Sequence, residues 1–312
     1  MSNGARTAWS IPRGIMHLPV ACFDKNLKLD FETNARLIDF EIKHGATSIC
    51  ILMHLAEQLN LSMQERKDLT EQSIKAVAGR VPVLVHVSLS ATDHVIELTQ
   101  HAEKAGADAV VAIAPYYWKP TQDQIYEHFA AVMSASGLPF VGYHSPAFMD
   151  GIGIAPTTLR RLVERFPTQM IGLKEASHNF EQFIELRRAA QSINPDFGMI
   201  TGIEYIIPAI TLGGVGSMSI FAGVAPRLIQ KLYDMTVAGE MSEALKLQDR
   251  VSALWQLGKG GYPAPIKTMM ELMGRPVGQT RLPLLPTPPD VRARLEEELG
   301  KLGILDSEPQ GW

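Results

Sequence analysis

The sequence predicts an α/β fold, a (β/α)8 TIM barrel carrying a C-terminal helical appendage. Short apolar stretches alternate with longer amphipathic ones from Gly14 to about Gly239, which makes eight strand–helix units. The short stretches are apolar on both faces, as parallel strands covered by helices must be. Glycine or proline punctuates the units at Gly45, Gly79, Gly106, Gly137, Pro167 and Gly213. A doubly wound open sheet is the alternative, weakened by the lack of a G-x-G-x-x-G run after the first strand.

Residues 1–13 are a polar, glycine-containing lead-in that reads as an arm, and residues 14–239 form the barrel. Strand one is Gly14–Ala21; Asp30 then caps a helix to Lys43 with Phe31, Ala35, Ile38 and Ile42 along one side. Strand two is Ser48–Met53, and Ser62 with Glu65 is a capping box opening a helix to Ala78. Val81–Val87 is strand three, followed by a helix from Ser90 or Thr92 to Ala105. Ala109–Ala114 is strand four, and Thr121 opens its helix, to about Ser136. Phe140–Tyr143 is strand five, with a helix over Pro156–Arg165. Strand six runs from Met170 into Lys174, ahead of the amphipathic Phe180–Ser192. Gly198–Thr201 and Val215–Ser219 complete the strands, each followed by a helix, Tyr205–Leu212 and Ala225–Ala238. Residues 240–312 lose the strands and keep helical patterns at Glu240–Leu257, Ala264–Met273 and Pro289–Leu299.

The 312 residues carry a formal net charge of −4 and no long basic run, so nucleic acid is not an expected partner. No run of about 18 apolar residues occurs, so no membrane span is expected. Cys22 and Cys50 lie inside apolar runs, as buried thiols of a reducing compartment do. Nor does a charged segment lead into an apolar N-terminal core. A cytoplasmic protein is the expectation.

In a barrel the C-terminal strand ends share the rim where active sites lie. Here those ends gather His54, His86, Tyr116, Tyr117, Tyr143, His144, Lys174, Glu204 and Ser217, whereas the opposite ends carry Gly14, Gly79-Arg80, Gly106 and Gly137. Two chemistries fit that rim. Lys174, where a buried strand meets its loop, is partly desolvated and suited to attack a ketone as a neutral amine, with Tyr143 on the neighbouring strand relaying protons. Alternatively His54, His86 and His144 bind zinc with an open position, although none sits in a short ligand motif.

The landmarks Gly45 with Ser48–Glu57, Glu65-Arg66, Gly79–Val83, Ala105–Asp108, Pro115-Tyr116-Tyr117, Tyr143 with Pro146, Gly172–Ser177, Gly202, Gly213–Ser217 and Arg281-Leu282-Pro283 are individually weak and jointly specific. In this order the chain resembles the class I, Schiff-base aldolase superfamily of dihydrodipicolinate synthase and N-acetylneuraminate lyase, from Ile15 to about Pro286. The resemblance implies a covalent imine on Lys174 without a cofactor or metal, and Tyr143 as the proton relay. It implies that Tyr117 corresponds to the tyrosine that reaches across a dimer interface, within a homodimer or homotetramer. Ser217 matches a substrate-contacting serine of the lyases. Gly202 and Glu204 match the loop over the substrate tail.

The chain departs from the family at the end of strand two. There the family's Gly-[Ser/Thr]-Thr-Gly-Glu holds the substrate carboxylate, and this chain has Met53-His54-Leu55-Ala56-Glu57. Phe148 stands where the synthases carry an arginine for a second carboxylate. The expectation is therefore a lyase, cleaving, condensing or dehydrating a 2-oxo acid or related ketone, and not a true dihydrodipicolinate synthase. His54, Leu55, His144 and Phe148 join Gly202, Glu204 and Ser217 as expected substrate contacts. A non-catalytic, metabolite-binding barrel of the same fold is the rival from another class.

Overall fold

A computed structural model describes residues 10–312. Eight parallel strands close on themselves in sequence order: β1 (Gly14–His17), β2 (Ser48–Ile51), β3 (Val83–His86), β4 (Ala109–Ile113), β5 (Phe140–His144), β6 (Met170–Glu175), β7 (Gly198–Thr201) and β8 (Gly216–Ser219). Closure comes from β1 pairing with β8, Gly14 opposite Gly216 through His17 opposite Ser219. Eight helices cover the outside: α1 (Phe31–Lys43), α2 (Met63–Val77), α3 (Thr92–Ala105), α4 (Gln122–Ser134), α5 (Pro156–Arg165), α6 (Phe180–Gln191), α7 (Ile206–Thr211) and α8 (Pro226–Val237).

Local signals place the helix starts. Asp30 accepts from the Thr33 N–H at 3.0 Å and caps α1. Both halves of the Ser62–Glu65 capping box are formed at α2, and Thr121 makes the same box with Gln124 at α4. The helix α3 differs, since Ala91 stands at its cap and offers no side-chain acceptor. Ser90 instead donates to the Tyr116 carbonyl, and Thr92 pairs with His128. Strand β1 is four residues long rather than the expected eight, because the chain leaves the sheet after His17 to run toward the isolated bridge of Phe23 with Leu29.

Strand alternation divides the core. Outward residues such as Ile49, Val85, Val110 and Leu173 pack beneath the helices, whereas Cys50, Leu84, Val111, Val141 and Ile200 fill the barrel interior. Of the expected N-terminal arm, residues 1–9 lie outside the described residues, and the remainder is no loose tail. Ile11 is 6% exposed and plugs the N-terminal mouth of the barrel. A side chain at Gly172 would collide with its Cδ1. The stretch from residue 240 onward is helical as expected: α9 (Met241–Gly258), α10 (Ala264–Leu272), α11 (Pro289–Lys301) and the short α12 (Ile304–Ser307). Its apolar residues Val251, Leu254, Ile266, Met269 and Met270 belong to the same core as the barrel interior and α8. Among the described residues no helix is long and apolar enough to cross a membrane.

Because Ile11 closes the barrel floor, Ile11→Ala should cost about 2–5 kcal/mol. Urea titration would check this, with a loss under about 0.5 kcal/mol counting against the plug.

Candidate active site

Lys174 and Tyr143 are brought together by sheet register. Strands β5 and β6 pair with Tyr143 opposite Lys174, and Lys174 lies opposite Ile200 of β7. All three side chains therefore enter the barrel. Lys174 is 2% exposed, and its Nζ lies over the Tyr143 ring, 4.3 Å from the centroid. Gly202 leaves the lysine stem its space. A Cβ there would come within 2.8 Å of Lys174 Cε and 2.6 Å of Ala176 Cβ.

His54 and Leu55 occupy a short 3-10 turn, His54–Ala56, at the end of β2. Leu52 and Glu57 flank this turn in the left-handed region, at φ 57° and 52°. Both turn side chains line the lysine cleft. The His54 ring centroid lies 5.4 Å from that of Phe148 and 4.9 Å from that of Tyr262. Burial, with Lys174 adding to it, lowers the His54 pKa to about 4, so at neutral pH the ring is uncharged.

His86 also faces inward, with its ring 6.1 Å from that of Tyr143. Its Nδ1 lies 2.9 Å from the Leu52 carbonyl, which only an N–H can satisfy, so Nε2 accepts from the Ser88 hydroxyl at 2.8 Å. The Ser88 oxygen in turn accepts from the Ile113 N–H. Both ring nitrogens are thus committed, and burial lowers the His86 pKa to about 3.

Several expected contacts fall elsewhere. His144 follows Tyr143 and pairs with Glu175, so alternation turns it to the outer face of the barrel. There its Nδ1 accepts from the Ile154 N–H at 2.9 Å, and it borders a separate surface crevice with Gln122 and Gln182. Ser217 is displaced for the same reason. Ile200 pairs with Gly216, which puts Gly216 on the lysine side and Ser217 on the other, fully buried and with its hydroxyl unpartnered. Glu204 does not line the cleft. Its Oε1 accepts from Ser219 Oγ at 2.6 Å and from the Ile220 and Phe221 N–H groups at 2.6 and 3.0 Å, pinning the loop after β8. Burial raises its pKa against those bonds. Tyr117 is 84% exposed, adopts φ 78°, and packs edge-on against the exposed Trp118, outside the cleft. His54, His86 and His144 consequently share no point at which one ion would meet all three.

The C-terminal helices contribute two wall residues that sequence reasoning missed. Trp255 of α9 and Tyr262 of the loop before α10 both line the cleft, 6.4 Å apart. The signal available was an aromatic between Gly260-Gly261 and Pro263, a loop with the turn chemistry to enter a site. A buried ion pair holds this segment to the barrel. Lys267 Nζ lies 2.6 Å from Glu57 Oε1, with both side chains almost wholly buried. Glu57 also accepts from the Arg281 N–H at 2.8 Å, and Lys267 donates to the Gln279 carbonyl. Burial lowers the Lys267 pKa, and Glu57 opposes that shift.

The cleft therefore offers an amine over a phenol ring, one neutral imidazole and otherwise apolar or aromatic walls. Its cavity is small, about 20 Å³, which is room for a water molecule and not for a substrate.

Known proteins share this architecture and much of the sequence. The profile of the Dihydrodipicolinate synthetase family matches residues 11–302. The 4-hydroxy-tetrahydrodipicolinate synthase of Nitratidesulfovibrio vulgaris (strain Miyazaki F) is 31% identical over 283 residues, 90% of this chain and 95% of that one. The structure of YagE, a prophage protein of the dihydrodipicolinic acid synthase family from E. coli K12 in complex with pyruvate, superposes with a TM-score of 0.89. Identity to it is 28%, covering 94% of this chain and 99% of that one. A monomeric dihydrodipicolinate synthase variant superposes with a TM-score of 0.88 at 27% identity, over 94% of this chain and 97% of that one.

A proton on His54 would have no partner to offset its burial. Histidine-selective NMR should find this imidazole neutral down to about pH 4. Titration near the ordinary value of 6.5 would show an open, hydrated site instead.

Proposed function

The chain belongs to the dihydrodipicolinate synthetase family, whose members are lyases of the class I aldolase type, and from that membership we propose a Schiff-base reaction on a 2-oxo acid or related ketone. The observation that carries this reading is the Lys174 amine seated against the Tyr143 ring in a cleft lined mainly by apolar and aromatic side chains. The amine attacks the substrate carbonyl, and the carbinolamine loses water to give a protonated imine. That imine accepts the electron pair released when the adjacent C–C bond breaks, or feeds the loss of a β-hydroxyl after deprotonation at C3. In both courses an enamine or conjugated imine forms, is reprotonated, and is released by water. Tyr143 is the relay for these proton transfers. The imine requires no further cofactor.

The side chains around the lysine favour a monoanionic substrate with an apolar portion. Leu55 offers no hydrogen bond, and the Phe148 ring edges the cleft where a second carboxylate would need a cation. We therefore do not assign this chain the reaction named for its synthase relatives. His54, Leu55, Phe148 and Gly202 are the proposed substrate neighbours, with Lys174 and Tyr143 as the catalytic pair.

A homo-oligomer, a dimer or a dimer of dimers, is part of the proposal. Exposed Tyr117 and Trp118 present an aromatic patch after β4 that a second copy would bury, bringing Tyr117 toward the partner's site.

Borohydride added with pyruvate or a larger 2-oxo acid should fix substrate carbon to the chain as a secondary amine, located on Lys174 by peptide mass analysis. Lys174→Ala should abolish labelling and turnover, and Tyr143→Phe should slow turnover by about 10²–10⁴-fold with the labelling site unchanged. Labelling at another lysine, or full activity in Lys174→Ala, would defeat the mechanism; a ligand that saturates without product would support a binding barrel. Sedimentation at micromolar concentration should give a dimer or tetramer. A fully active monomer would remove the trans role of Tyr117.

A further inference from the structure

The walls of the lysine cleft are not uniformly apolar. Leu18, Leu55 and Ile203 are aliphatic, whereas His54, Phe148, Tyr262 and Trp255 are rings. The rings form a connected series. His54 meets Phe148 edge-on at 5.4 Å and an interplanar angle of 65°, and meets Tyr262 at 4.9 Å and 41°. Trp255 stands behind Tyr262 at 6.4 Å and 69°. These distances and tilts are those at which aromatic quadrupoles attract.

Three separate segments supply this series: the turn after β2, the turn after β5 and the C-terminal helices. The last is held there by the buried Glu57–Lys267 pair. Lys174 is the one Lys, Arg, Asp or Glu side chain in the cleft lining, and burial keeps His54 neutral at pH 7.

Phe148 differs from the other members of the series. It is 53% exposed and sits on a three-residue 3-10 turn, Pro146–Phe148, with no buried residue. Half of its ring is in water while one edge rests on His54. A cavity of about 20 Å³ cannot hold a six-membered ring, since a protein cavity that binds benzene measures on the order of 150 Å³. Phe148 is the wall member that gives way at least cost, and its present place on His54 marks a position that suits an aromatic ring.

We infer that this series of rings is a subsite for a planar aryl group, so that the ketone attacked by Lys174 carries an aromatic substituent, with Tyr262 and Trp255 as specificity-determining residues. The inference rests on the Schiff-base reading of Lys174. On binding, the aryl group takes the place of the Phe148 edge against His54 and Tyr262, and Phe148 moves outward to cover it. An aliphatic ring of the same size fills the volume and forfeits the ring–ring contacts. A discrimination of about tenfold is expected from two such contacts.

The test compares phenylpyruvate with 3-cyclohexyl-2-oxopropanoate, using pyruvate as the control, in the full-length protein. The readout is the ketone concentration giving half-maximal borohydride labelling of Lys174, followed by intact mass, so turnover is not needed. Phenylpyruvate should reach half-labelling at about one tenth of the cyclohexyl concentration. Tyr262→Leu and Trp255→Leu should bring that ratio toward one, and Tyr262→Phe, which keeps the ring, should preserve it. Labelling by pyruvate with an aryl-to-cyclohexyl ratio near one would overturn the subsite and leave the Schiff-base reading standing. An aryl preference that survives Tyr262→Leu would also overturn it. Failure of every ketone, pyruvate included, to label Lys174 would overturn the Schiff-base reading and the subsite with it.

Discussion

The site depends on one hydrogen-bonded register, that of β5 with β6. Tyr143 lies opposite Lys174, and in a parallel pair opposite residues point the same way. The phenol and the amine therefore meet inside the barrel without any loop having to place them. A slip of one residue would bring His144 inward and send Tyr143 under the helices. The closed sheet suppresses that slip, because every strand is bonded on both edges and the outer face of each must present its apolar set to a covering helix. The shift in register between Phe140 and Val141 comes before this point, so Gly142, Tyr143 and His144 pair in unbroken sequence.

A second constraint works from outside the barrel. Glu57 and Lys267 are both buried, and removing either would leave a charge without its partner, which commonly costs about 3–5 kcal/mol. The pair therefore fixes the C-terminal helices against the end of β2, with Arg281 bonded to both Glu57 and Glu65. Tyr262 and Trp255 reach the lysine cleft through this attachment. The segment from residue 240 onward is thus a wall of the lysine cleft as well as part of the core.

The turn after β2 brings Met53, His54 and Leu55 to the lysine cleft. His54 and Leu55 line the cleft together with Lys174, and His54 supplies the ring on which Phe148 and Tyr262 rest. Lys174 and Tyr143 sit at the strand ends, where geometry is rigid, and His54, Phe148, Tyr262 and Trp255 sit on turns and on an appended helix. Such a division lets one barrel keep its reaction type while its substrate range changes.

The fold and the meeting of Lys174 with Tyr143 were legible in the sequence because both follow from local periodicity. Strands of four to six residues, apolar on both faces and separated by capped helices, leave few architectures. A lysine at the end of the sixth strand and a tyrosine at the end of the fifth become neighbours as soon as the barrel closes. The structure alone decided the direction in which each rim residue points. His144, Ser217 and Glu204 lie at strand ends like Lys174, yet alternation and loop geometry turn the first two outward and bury the third beneath the loop after β8. Side-chain parity depends on register between strands far apart in the chain, and no single strand's pattern states it when both faces are apolar. Tyr262 and Trp255 were hidden for a related reason. They join Lys174 and His54, which lie roughly 80–210 residues earlier in the chain, through a buried ion pair that only tertiary packing reveals.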